Sequence, residues 1–327
     1  MTDGTGWDGF SGVPPELVAL AERCFEADGG LPLAVEPGFL AGRWAGQGVV
    51  TFARRDAGGR LTAAGAARPI LGGAAFTGLV DPAARGRGLG ALVLDRGLAE
   101  VRALAAPPRR GALAAHLAPG AAAEGGSPSA AGSDVAADGE RVVNVEAESL
   151  TDDAAALFDT RGLRQDFAED VMWADLAGEP PAAVWPEGAA MVSWSGEVAR
   201  RFHAVYDASF RDRPGFPGYR ADDWIDENEE DEDFRPDCSL LVSLPGVGDA
   251  GFVTAARDWI IQVGVVPSAR RRGLAAALVS EALARLQADG SDHAWLTVNV
   301  NNPGAAAVYR GLGFRNRGRR ARYRPAP

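Results

Sequence analysis

The hydrophobic positions of this chain follow two periods, and the order in which those periods alternate occurs twice. A polar, helix-forming stretch comes first, Pro14 to Ala27 in the first half and Ser195 to Phe210 in the second. Alternating segments follow and predict antiparallel strands over Gly48–Arg54 and Leu61–Arg68, then over Ser239–Leu244 and Gly251–Ala256. A further strand runs into an Arg/Gly-rich turn: Ala74–Val80, and again Trp259–Val265. The residues after each turn return to helical spacing. In the second half Leu274, Leu278 and Ala282 stack at i, i+4 beside Val279, Leu283 and Leu286. Each half closes with one more strand (Arg141–Val145, or Ala294–Val300), a short helix and a last strand.

The turns carry the duplication most clearly. VDPAARGRGLGALVL, beginning at Val80, and VVPSARRRGLAAALV, beginning at Val265, agree at eight of fifteen positions, with Arg85 equivalent to Arg270. Downstream, ALFDTRGL matches AVYRGLGF and pairs Phe158 with Tyr309. Phe158 lies 73 residues after Arg85, whereas Tyr309 lies 39 after Arg270, so the first copy holds 34 extra residues. An Ala/Gly/Pro/Ser-rich segment at about 106–139 accounts for them and reads as a low-complexity, disordered insert. With a break at WPEG, the expected domains are 1–188 and 189–327.

Composition narrows the function classes. Of 327 residues 46% are hydrophobic and 24% charged, as in an ordinary globular protein. No apolar run approaches the ~20 residues of a membrane span, and MTDGTGWDGF lacks the features of a secretion signal; the expected location is the cytoplasm. A net charge of −11 argues against nucleic acid as partner. All 33 basic residues are Arg, a bias that reads as a GC-rich bacterial genome. Cys24 and Cys238 form no motif and are expected to be reduced. His116, His203 and His293 are dispersed, which supports neither a metal site nor a nucleophilic triad.

A strand–turn–helix leaves unpaired N–H groups at the helix start, where the helix dipole adds partial positive charge. That combination suits a pyrophosphate or other phosphate ester. Gly88 and Gly90, and likewise Gly273 and Ala275, allow close approach to the backbone, while Arg85, Arg87, Arg270 and Arg272 can add charge-assisted contacts. The competing reading is a tight connection with solvated arginines. No Lys follows the glycines as in a Walker loop, and the mixed strand order argues against a dinucleotide fold.

In the second half the turn RRRGLA is followed by NPGAAAVYRGLGF. Together they resemble the GNAT family of acyl-CoA-dependent N-acetyltransferases, whose patterns are R/Q-x-x-G-x-G/A and N-x-x-A-x-x-x-Y-x-x-x-G-F. RGRGLG fits the turn pattern more closely still, and the tandem arrangement resembles the mycothiol synthase-like two-domain acetyltransferases of actinobacteria. The resemblance implies an α/β (α+β) fold of two tandem domains, each a mixed, mostly antiparallel sheet flanked by helices. It implies acetyl-CoA as co-substrate, with pantetheine along Val263, Gly264 and Val265. The pyrophosphate would lie on the amides of Arg270, Arg271, Arg272, Gly273, Leu274 and Ala275, and Asn302 would help fix the cofactor. Tyr309 falls where the family places the acid for the departing thiolate, and Asp258 near where it places a base. In the first copy the equivalent turn is Arg85, Gly86, Arg87, Gly88, Leu89 and Gly90.

That copy departs from the family further along. Phe158 has no hydroxyl, and Thr151-Asp152-Asp153 replaces the Asn-Pro start, so catalysis is expected only in the second domain. The resemblance also puts the acidic run Ala221–Asp233 along the acceptor wall, where its carboxylates could attract a cationic amine. Plainer readings compete: Tyr309 as a core aromatic, Asp258 as an exposed strand-end carboxylate, and the acidic run as a solvated helix face. The expected reaction is direct acetyl transfer, in a ternary complex, to a primary amine of a small molecule or peptide. The chain would act as a monomer or homodimer, with neither membrane nor metal involved. The alternative is an acyl-CoA sensor without turnover.

Overall fold

A computed structural model of the chain describes residues 6–106, 141–213, 216 and 218–326. The first copy runs α1 (Pro15–Asp28), α2 (Pro37–Trp44), β1 (Val50–Arg55), β2 (Leu61–Ile70), β3 (Gly73–Val80), α3 (Leu89–Ala105), β4 (Val142–Ala147), α4 (Asp152–Asp159) and β5 (Leu163–Asp175). The second runs β6 (Ala190–Ser193), α5 (Ala199–Phe210), α6 (Ala221–Glu229), β7 (Leu240–Leu244), β8 (Gly248–Ala256), β9 (Trp259–Val265), α7 (Leu274–Ala288), β10 (His293–Asn299), α8 (Pro303–Gly311) and β11 (Arg315–Pro325). From the first helix onward the two copies follow the same order of elements; β6 has no strand counterpart in the first. The insert expected at about 106–139 lies, apart from Ala106, outside the described residues.

The described residues form two compact units whose limits differ from a cut at residue 188. One comprises 6–106, 141–170 and 317–326; the other comprises 171–213, 216 and 218–316. In the first unit β1, β2 and β3 are antiparallel neighbours, β4 joins β3 in parallel, and β11 pairs antiparallel with β4 (Ala321 opposite Ala147, Tyr323 opposite Val145). Leu17, Leu20, Leu40, Trp44 and Leu61 pack its core. An opening strand is hard to find in the sequence of this copy, and the fold keeps only a bridge, Asp8 to Ala53.

The chain's last strand belongs to this first unit for electrostatic reasons. Its sequence RNRGRRARYRP is too basic to lie unneutralised in a sheet. Within the unit Arg319 bonds Asp170, Arg322 bonds Asp166, and Arg320 faces Glu148 and Glu169. The carboxylates come from β5 and from the end of β4. The tail of β5 does the opposite: Met172, Ala174 and the following Leu176 are buried in the core of the second unit, with Phe202, Trp224, Phe252 and Leu278. Hydrophobic burial thus draws residues 171–176 one way, while charge pairing draws 317–326 the other.

In the second unit β6, β7, β8 and β9 are antiparallel neighbours, and β10 lies parallel to β9. β9 carries a bulge. Thr254 pairs with Gln262 but Ala255 pairs with Ile260, which leaves Ile261 as the extra residue.

Candidate functional site

The same construction occurs at the end of β3 and of β9. Gly88 and Gly273 cap the following helices in left-handed conformation, with φ of 78° and 81°. The first bonds closing the helices run from Leu92 N–H to Gly88 C=O and from Ala277 N–H to Gly273 C=O, so the earlier amides stay open to an anion. Nothing lies within 4 Å of a Cβ built on Gly86, Gly88 or Gly273. The turn therefore fits a phosphate group in both units.

Its arginines divide into two kinds, and here the sequence reading needs correction. Arg85 donates from Nε to the Val80 carbonyl and grips Asp28 with both terminal nitrogens, at 2.7 and 2.6 Å. Arg270 donates from Nε to the Val265 carbonyl and from Nη2 to the Ser209 carbonyl at 2.9 Å. Both guanidinium groups clamp the turn to the strand end and to the preceding helix; Arg85 does so through all three nitrogens, Arg270 through Nε and Nη2 with Nη1 left over. Arg87 and Arg271 are exposed, carry no hydrogen bond among the described residues and stay available to a phosphate, whereas Arg272 bonds the Ser268 carbonyl.

The gap beside the strand differs between the units. β3 stays zipped to β4 from Gly73 through Thr77, and only Gly78–Val80 are left without a β4 partner. A cavity of about 250 Å³ opens there, lined by Thr77, Val80, Gly90, Glu146, Ser149 and Leu157 among others. β9 pairs with β10 at Trp259–Trp295 alone. Val263, Gly264 and Val265 consequently keep their ladder with β8 on one edge and none toward β10 on the other. Gly264 is required where it stands: a Cβ would meet the Phe252 ring at 2.4 Å and Ser209 at 3.0 Å. The Ser209 hydroxyl beside it is buried and has no hydrogen-bond partner among the described residues.

Tyr309 sits on α8, half-buried, against the core and edge-on to Phe314 at 6.0 Å. Burial pushes its phenol up to about 12, so it stays protonated across the physiological range. Phe158, its counterpart, packs edge-on to Tyr323 at 4.9 Å and is buried. Asn302 is the N-cap of α8, its Oδ1 accepting from Ala305 N–H; Thr151 caps α4 in the same way. The loss of the Asn-Pro start in the first copy thus exchanges one cap for another.

Asp258 is not brought to this site. It occupies the β8–β9 turn in left-handed conformation (φ 59°), and its carbonyl accepts from Trp295 N–H. Five residues of strand, about 16 Å, separate it from Val263. Asp is among the few residues that tolerate that conformation, which accounts for its presence. Sequence reading missed the ring cluster behind the gap, in which Tyr206 stacks on Trp224 at 5.0 Å and Trp224 Nε1 donates to Gln262 Oε1 at the bulge. The aromatic spacing of α5 and α6 was the available signal.

A family description, Acetyltransferase (GNAT) family, matches residues 202–314. A mycothiol acetyltransferase of Clavibacter michiganensis is 30% identical over 322 residues, covering 95% of this chain and 90% of its own. One from Stackebrandtia nassauensis is 30% identical over 169 residues, 46% of this chain and 54% of its own. A GCN5-related N-acetyltransferase from Sphaerobacter thermophilus superposes with a TM-score of 0.69 at 23% identity, over 99% and 98% of the two chains. A tandem GNAT protein from the clavulanic acid pathway gives 0.55 at 16% identity, over 98% of each.

Proposed function

Because the chain belongs to the GNAT family of acetyltransferases, we propose that it transfers an acetyl group from acetyl-CoA to a primary amine, with the reacting centre in its second unit. The carrying observation is the open edge of Val263–Val265 in front of a helix N-terminus that has no side-chain cap. Those backbone groups would hold the pantetheine amides and the amides of Arg271–Ala275 the pyrophosphate. The unpartnered Ser209 hydroxyl supplies one further polar contact. Attack would be direct, in a ternary complex; both cysteines are buried and free, and burial pushes each thiol up to about 11, which makes a covalent relay unfavourable.

The values limit what Tyr309 does. A thiol ionises near ~8.5, well below the phenol's value of about 12. Full proton transfer to the departing sulfur would run uphill, so Tyr309 acts by donating a hydrogen bond to the developing thiolate. Tyr309→Phe should lower kcat by about 10²-fold with acetyl-CoA binding intact. Because the phenol titrates so high, the pH profile below 10 should keep its shape; unchanged turnover would remove Tyr309 from the mechanism.

The relatives' name favours the amine of a mycothiol precursor as acceptor. The first unit reads as a half that holds the cofactor without turnover: its turn is complete, but its gap closes at Thr77 and Phe158 lacks a hydroxyl. A sensor without catalysis is the alternative. Calorimetry with acetyl-CoA followed by thiol release over a panel of amines separates the two.

A further inference from the structure

We propose that the first unit is a coenzyme A site blind to the acyl group: it holds the pyrophosphate and the near part of the pantetheine arm, and takes free CoA, acetyl-CoA and longer thioesters alike. The inference deepens the reading of that unit as holding the cofactor without turnover, and rests on it.

Strand register decides how far an arm can enter. Counted back nine residues from the equivalent arginines Arg85 and Arg270, Phe76 stands where Ile261 stands in the second copy. Ile261 is the extra residue of the β9 bulge, and β9 has no pairing with β10 beyond Trp259. Phe76 is instead in register. β3 pairs with β2 without a shift from Gly73 to Val80, and with β4 from Gly73 to Thr77. The Phe76 ring is 3% exposed and stacks on Phe52 at 6.2 Å. It fills the space that a Cβ would need on Gly97 of α3, at 2.2 Å, and on Gly78, at 2.9 Å. A ring seated this closely cannot swing out into a bulge, so β3 keeps the ladder that β9 gives up.

The closed end of the gap is charged. Thr77 lies opposite Glu146 where the ladder stops. Glu146 accepts from Arg68 at 2.8 Å and faces Arg43 at 3.7 Å, and the Arg68 and Glu146 side chains are only 15% and 16% exposed. An acyl chain pushed against that pair would strip its remaining water and offer no hydrogen bond in return. The near end is open, and the cavity of about 250 Å³ joins Gly86 and Gly90 of the turn to Val80 and Ser149. That volume lies below the roughly 300–1,000 Å³ of pockets that enclose a whole small ligand, which suits an arm entering part of the way. In its wall Arg43 Nε is buried with no hydrogen-bond partner among the described residues, a donor fit for a pantetheine amide carbonyl. Phe158 also lines the cavity and offers nothing to a sulfur. The acyl end of a bound thioester therefore stays outside, where its length has no consequence. Such a site answers to the sum of CoA and its thioesters, and CoA released by the second unit occupies it as readily as acetyl-CoA.

The test titrates the full chain by calorimetry with CoA, acetyl-CoA and octanoyl-CoA. In Arg271→Glu protein, where the charge at the second turn is reversed, the tight site that remains should bind all three within about 3-fold of one another. Adding Arg87→Glu should weaken that site at least about 10-fold for every ligand, as loss of a charge-assisted contact does. Arg87→Glu alone should remove the indifferent site from the wild-type isotherm and leave the other. A preference of about 10-fold or more among the three ligands at the site sensitive to Arg87 overturns the inference. So does the lack of any site sensitive to Arg87. Thiol release over a panel of amines keeps the two readings apart. Turnover without a site sensitive to Arg87 leaves the enzymatic reading standing and removes this one. An acyl-blind site sensitive to Arg87 in a chain that releases no thiol does the reverse.

Discussion

Arg271 and Gly86 occupy equivalent places in the two turns, and both adopt positive φ, 65° and 73°. For Arg that conformation costs about 1–2 kcal/mol, because its Cβ crowds the following carbonyl. Gly adopts it freely but carries extra entropy in the unfolded chain, about 0.5–1 kcal/mol. Arg271→Gly should therefore raise stability by up to about 1 kcal/mol, and Gly86→Ala should lower it by about 1 kcal/mol, both read from urea unfolding. A destabilised Arg271→Gly would mean that the side chain, not the backbone, holds the turn. The strain is retained at an exposed cation facing the phosphate site, where a charge has use. The sequence made the location of this turn plain, because Gly, Arg and Pro recur at fixed offsets. It did not separate clamping arginines from available ones. That depends on Asp28 and the Ser209 carbonyl, which are 57 and 61 residues away in the chain. Asp258 misled for a related reason: a carboxylate near a strand start looks the same whether it faces a substrate or forms a turn.

At the level of elements, periodicity located the strands and helices of both halves, since each buries one face and the period follows from that. Ownership of strands was another matter. Period and hydropathy place β11 in the sheet of its own half; Arg319, Arg320, Arg322 and Arg324 with their acidic partners place residues 317–325 in the first unit. Pairing between distant segments leaves no local trace. A fragment cut at the WPEG break, 190–327, would carry β11 without those partners and lack residues 171–176 of its own core. The fragment 171–316 should accordingly be the more soluble and the more cooperatively folded, as judged by circular dichroism on heating. The opposite ranking would mean that β11 stabilises the second half directly.

For the whole molecule, two turns of equal construction and two unequal gaps predict unequal roles. Calorimetry should find acetyl-CoA binding at both units, and Tyr309→Phe should suppress turnover without changing that stoichiometry. A single site per chain would mean that the zipped gap below Thr77 is too short for the pantetheine arm. The division of the chain also bears on its synthesis. The first unit takes residues 317–326, which the ribosome delivers only after the whole second unit. At the usual pace of translation the intervening 171–316 occupies roughly 7–30 s. Through that interval the acidic edges of β4 and β5 wait for their arginines, so a nascent chain cannot finish its first half early. A chain lacking 317–326 should therefore have an incomplete first unit and be cleaved there by added protease sooner than the full chain.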